Sequence, residues 1–172
     1  MQTRLTAGMV LASLLGIGSM ALWVGWRMQQ ILLESHRQRT ALIADRFQDD
    51  VESYTAMMPP DQALQKVIDH RTSGDLAIWI KADDGSLIAQ SETLDMGSWQ
   101  KDGITLVLME NSIAQGLSIV PIGNWHLVVC VQPLSLDTWP NSTLYIADDI
   151  TSDYRSMEHL LRTLALTTLL IV

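Results

Sequence analysis

Cysteine is nearly absent. The lone Cys130 excludes an internal disulfide framework, so cysteine pairing does not report the compartment. Basic residues are scarce as well: 11 Lys and Arg stand against 19 Asp and Glu, a net charge of −8. That balance excludes the basic surface that nucleic-acid phosphates require. The four histidines, His36, His70, His126 and His159, follow no short zinc-type spacing. His126 and Cys130 on one strand face would stand ~13 Å apart, too far for one metal. There is no Ser-His-Asp constellation and no glycine loop to cradle phosphate, which argues against catalysis. Charge is missing from Ala7 to Trp26, and glycine and proline are missing from Arg27 to Met58.

Those last two absences define the first half of the chain. A twenty-residue uncharged helix rises about 30 Å, the hydrocarbon thickness of a bilayer. A cleaved signal would be shorter and would end in small side chains. Here the run ends Trp23-Val24-Gly25-Trp26-Arg27, an interfacial aromatic belt with an arginine able to snorkel. The expectation is an uncleaved membrane helix. A second apolar run, TLALTTLLIV, follows Arg162 and reaches Val172 after about half a span. All the acidic residues lie between these runs, in about 135 residues, a single-domain length. Counting positive charges sets Arg4 against Arg27, Arg37 and Arg39 and does not favour a cytoplasmic N-terminus. The acidic region is placed outside the membrane by layout, against that count.

Gly8, Ala12 and Gly16 recur every four residues and form a candidate dimer face of the first membrane helix. Further on, Ile43, Phe47, Val51, Tyr54 and Met58 make one stripe of an amphipathic helix that Pro59-Pro60 ends. Asp61 to His70 reads as a short second helix with Ala63, Leu64, Val67 and Ile68 inward. The period then changes to two. Leu76 to Lys81 and Leu87 to Gln90 read as a hairpin about Asp83-Asp84-Gly85-Ser86, and Leu117 to Ile122 and Trp125 to Gln132 as another about Gly123-Asn124. Ser91 to Gly103 is a polar connection, and Ile104 to Glu110 is compatible with a strand or a short helix. Thr143 to Ile150 is a last strand, after a loop holding Pro133, Pro140 and Asn141. The sum is an α+β domain: a long helix and a short one packed on one face of a roughly five-stranded antiparallel sheet.

The last helix carries the most sustained pattern. Thr151 or Ser152 is positioned to cap it, and Asp153 lies in its first turn. Ile150, Tyr154, Met157, Leu161 and Leu164 alternate by four and three, a coiled-coil seam running toward the second apolar run without a Gly or Pro hinge.

Two stretches resemble a known family. Ala82 to Ser91 (ADDGSLIAQS) is similar to the first hairpin of extracytoplasmic PAS-like domains, and Leu144 to Thr151 (LYIADDIT) to the last strand and output linker of two-component sensor histidine kinases, most of all a cyanobacterial group. The resemblance implies a homodimer in the inner membrane with a PAS-like periplasmic sensor domain. It also implies a cytoplasmic part, not in these 172 residues, that holds the kinase and meets a response regulator. The expected division is a cytoplasmic 1–6, a membrane helix 7–26, a sensor domain 27–150, an output helix 151–162 and a second membrane segment from 163.

Two groups are candidate sites. Asp148, Asp149 and Asp153 at the last strand–helix junction could share a divalent cation, which wants several carboxylate oxygens. If the strand continues, however, Asp148 and Asp149 point to opposite faces. Trp79, Trp99 and Trp125 could line an apolar pocket for a small organic ligand, with core packing as the plainer role. No other cofactor is legible. The expected function is the sensory input of a histidine kinase, with membrane lipid and a small extracytoplasmic ligand or ion as partners. The alternatives are a tethered binding module without output, or the input domain of a chemoreceptor or cyclase.

Overall fold

The computed structural model describes residues 2–110 and 113–170, with the side chains of 2–14, 98, 164–165 and 168–170 outside that description. The chain divides into two units: His36–Thr151, and Met1–Ser35 together with Ser152–Val172.

Helix α1 spans Gln2–Thr55 and is common to both units. It ends at Thr55, short of Pro59 (ψ 145°), and Pro60 opens α2 (Pro60–Arg71) at a position that has no use for an N–H. Four of the five residues of the predicted stripe lie in α1 and pack inward, and Met58 falls beyond the end of the helix. Phe47 and Val51 are fully enclosed, and Ile43 and Tyr54 pack at the edge of the same cluster. They meet Leu64, Val67 and Ile68 of α2. Beneath both helices lie Leu76, Ile78 and Ile80 of β1 (Leu76–Lys81) and Leu144 and Ile146 of β5 (Ser142–Asp149). On the flank of α1, Asp50 accepts a bond from Arg71 Nε at 2.9 Å and Glu52 accepts one from Gln48 at 2.9 Å.

The sheet is wholly antiparallel and ordered β2-β1-β5-β4-β3, with β2 at Leu87–Gln90, β3 at Gly116–Ile122 and β4 at Trp125–Leu134. Both hairpins turn where expected. Gly85 (φ 82°) and Gly123 (φ 58°) take the left-handed conformation, and Ile122 pairs directly with Trp125 across the second turn. Ser91 closes the β1–β2 ladder: its buried hydroxyl accepts the Ile78 N–H at 3.1 Å.

Two expectations need correction. Helices do not cover one face alone. The segment after β2 forms a 3₁₀ turn (Glu92–Asp95), α3 (Gly97–Lys101) and α4 (Ile104–Glu110), and it seals the second face. Leu94, Trp99, Ile104 and Leu108 pack there on Ala77, Trp79, Leu127, Val129 and Ala147. This explains the near-continuous apolar run of β1: a strand covered on both sides has no solvent face to alternate with. Ile104 to Glu110 is thus helix. Pro133 lies inside β4 rather than in a loop; β3 reaches only Gly116, opposite Val131, and the open edge beyond tolerates a residue without an N–H.

In the other unit, α1 and α5 (Thr151–Leu170) touch at Gly25 and Leu161, where a Cβ on Gly25 would fall inside the leucine side chain. Gln29 Nε2 donates to the Tyr154 hydroxyl at 2.9 Å one turn along α1. Leu15, Ile17, Met20, Leu22, Trp23 and Trp26 are exposed. Among the described residues no helix is long and apolar enough to cross a membrane; residues 7–14 of the first apolar run have side chains outside that set.

Candidate functional site

The end of β5 carries two adjacent carboxylates, and strand alternation sends them opposite ways. Asp148 is 1% exposed. Its Oδ2 lies 2.7 Å from His36 Nδ1, and its Oδ1 lies 3.9 Å from the Arg39 guanidinium without a hydrogen bond. Burying a carboxylate is costly unless opposite charge and hydrogen bonds replace water, and here α1 supplies both. Asp149 is a cap instead: its Oδ1 accepts the Thr151 N–H at 2.9 Å. The Thr151 hydroxyl, one of the two predicted caps, accepts the His126 N–H at 2.9 Å. Ile150 and Asp149 also donate backbone bonds to His126 at 3.0 Å and Asp75 at 2.8 Å. The junction into α5 is therefore pinned by the residue before β1, by β4 and by α1 within one unit.

These placements do not assemble the expected cation site. Asp148 faces His36, Asp149 serves the helix terminus, and among the described residues no three His, Cys, Asp or Glu side chains gather as metal ligands. The physical reason is alternation: adjacent strand carboxylates cannot share a face without a bulge.

The tryptophans are brought together, but as filling. Trp79 is 0% exposed and stacks on Tyr145 with ring centroids 5.1 Å apart. Lys81 Nζ sits 5.5 Å over the other ring of that pair and donates to the Met109 carbonyl at 2.7 Å. Trp99 is 3% exposed and meets Trp125 at 6.1 Å, tilted by 57°. Trp125 Nε1 donates to Asp102 at 3.2 Å. Only Trp99 of the three borders a described cleft, about 540 Å³, with Asp69, Ser73, Glu92 and Met96 among its other walls.

Of the seam, Ile150 is buried in the sheet-bearing unit, Tyr154 and Leu161 meet α1 of the same chain, and Met157 is half-buried. Leu164 lies outside the described side chains, as do Gly8 and Ala12 of the small-residue face. Gly16 has open space where a Cβ would point. Cys130 is buried on the α1 side of the sheet; burial first, then the negative charge of Asp45, raises its thiol pKa. Sequence reasoning left His36, Arg39, Gly25 and Gln29 without roles. Only Gly25 carried a local signal, as a glycine between two tryptophans at a helix crossing.

No protein-family model matches the chain, and no curated protein matches it. Among solved structures it is similar to the periplasmic domain of LuxQ from Vibrio cholerae, 13% identical over 74% of this chain and 68% of that one, with a TM-score of 0.37. A likeness that slight assigns neither fold nor role.

Proposed function

We propose that this chain is the sensory input part of a membrane-bound two-component sensor histidine kinase. Its α+β domain would stand on the extracytoplasmic side of the inner membrane, held by Ala7–Trp26 and by the segment beginning at Thr163. One observation carries the reading. The sheet-bearing unit is bounded by helix at both ends: α1 enters it at His36 and α5 leaves it at Thr151, with only Ile150 between β5 and α5. A domain with helices continuing at both its start and its end suits relay of its state, whereas a passive tether needs only one. The five-stranded antiparallel sheet agrees with the PAS-like hairpin and last-strand motifs. A homodimer, formed along α1 and through Gly8, Ala12 and Gly16, belongs to the same proposal, as does a small extracytoplasmic ligand. A response regulator would meet only the cytoplasmic part.

The coding sequence beyond Val172 tests this directly. The reading requires a completed membrane helix, a phosphoacceptor histidine and an ATP-binding domain. A methyl-accepting or cyclase domain would transfer the input role to another output class. A stop codon at that point would leave a binding module and overturn the kinase assignment.

A further inference from the structure

The sheet-bearing unit begins at His36 and ends at Thr151, and one side-chain pair ties these two places together. His36 approaches from α1 and Asp148 from the end of β5, 112 positions away in sequence and 2.7 Å away in space. Their side chains are 16% and 1% exposed, whereas Arg39, at 3.9 Å, is 51% exposed and more screened by solvent. His36 is thus the close partner of a carboxylate that has left water.

Histidine is the side chain whose charge ordinarily changes between about pH 5 and pH 8. A protonated imidazole meets a carboxylate with full opposite charge, whereas a neutral imidazole offers the same carboxylate only an N–H dipole. The other charged groups around Asp148 come from each packed element. From α1 comes Arg39. From β1, neutral Leu76 lies opposite, next to Asp75. From β4, neutral Val128 lies opposite, with His126 two residues before it. On β5 itself Asp149 is engaged at the helix terminus, and Asp153 follows on α5.

We propose that His36 and Asp148 form a proton-responsive latch on the β5–α5 junction, tight when His36 is protonated and looser when it is not. The latch acts next to the Asp149–Thr151 cap, so its loosening frees the first turn of α5 from the strand before it. Its sign is fixed: junction order is greater on the acid side of the imidazole transition and smaller on the alkaline side, down to the pH at which Asp148 itself takes a proton. The inference goes beyond the sensory reading and needs no output module.

Amide exchange on the full chain in lipid vesicles tests it, with rates corrected for the intrinsic effect of pH. Protection of the Asp148–Tyr154 amides should fall about fivefold between about pH 5.5 and about pH 8, as an imidazolium–carboxylate ion pair becomes a neutral imidazole donating to the same carboxylate. His36→Gln and Asp148→Asn should each remove that dependence, while His126→Gln keeps it. The β1–β2 hairpin, in the same molecules, reports whether each variant is folded. In wild type the His36 ring resonance should titrate with the same midpoint as the exchange, a comparison that needs no variant. A pH-independent junction in wild type, a dependence that survives in His36→Gln or disappears in His126→Gln, or different midpoints would each overturn the latch.

Discussion

Cys130 shows how a single residue follows its surroundings. It sits on β4 opposite Leu117 and Ile146, among apolar neighbours that make the thiolate unfavourable. Asp45 adds a second, smaller penalty of the same sign. The folded thiol therefore holds its proton to higher pH than the unfolded one. Between those two values the unfolded chain binds fewer protons, so stability falls as pH rises above the ordinary thiol range. Urea titrations of wild type and Cys130→Ala should show that alkaline loss in wild type and less of it in the variant. Equal slopes with pH would mean that the thiol contributes nothing. Asp84 is the opposite case, exposed at the first turn, where hydrogen bonds from Ser86, side chain first and backbone second, lower its carboxyl pKa. Both environments were partly legible, since Cys is among the most buried residue types and D-x-G turns bend the chain on themselves. The pairing of His36 with Asp148 was not. No local pattern relates a helix histidine to a strand carboxylate 112 positions away, and only the fold supplies that contact.

At the scale of elements, the legible features were those set by neighbours in sequence. Pro59-Pro60 separated α1 from α2, Gly85 and Gly123 placed both turns, and alternation placed all five strands to within about two residues. The stretch 92–110 was illegible because its short helices are held by packing rather than by their own periodicity: Leu94, Trp99, Ile104 and Leu108 are spaced five, five and four, and they are buried against the sheet. The seam of α5 was legible as a pattern but not as a contact. Tyr154 and Leu161 meet Gln29 and Gly25 of the same chain, so the four-three spacing there serves an intramolecular crossing. Gly25→Val should then force the helices apart, since the added carbons coincide with the Leu161 side chain. Cysteines at 29 and 154, in a Cys130→Ala background, should crosslink readily while Gly25 is kept and several-fold less once Gly25→Val is added, an effect of overpacking. Gly25→Ala combined with Leu161→Ala should recover the crosslink, because the second change vacates the space that the first fills. Equal crosslinking in all three would remove the crossing from any account of coupling.

For the whole molecule, charge and hydropathy are separated along the chain more sharply than any motif. All 19 acidic residues lie between the two apolar runs. The domain that holds most of them has its own core on both sheet faces, while α1 from Leu15 to Trp26 leaves large apolar side chains and two tryptophan rings uncovered. Exposed apolar surface on that scale marks contact with lipid or with another chain. The acidic domain would not enter a bilayer with it, because each unpaired charge at the bilayer centre costs at least about 2.5 kcal/mol. The proposed topology, with the domain on the extracytoplasmic side, can fail cleanly. Asp84 lies at the exposed tip of the first hairpin, where a cysteine is tolerated without touching either core. The variant Cys130→Ala, Asp84→Cys should react with a membrane-impermeant maleimide in intact spheroplasts as fast as after lysis. The chain itself should stay in the pellet after alkaline carbonate washing, which strips proteins held only by surface contacts. Cytoplasmic residence of the domain would instead protect the new cysteine until lysis. Loss of the chain to the carbonate supernatant would show that the uncovered face of α1 meets protein rather than lipid.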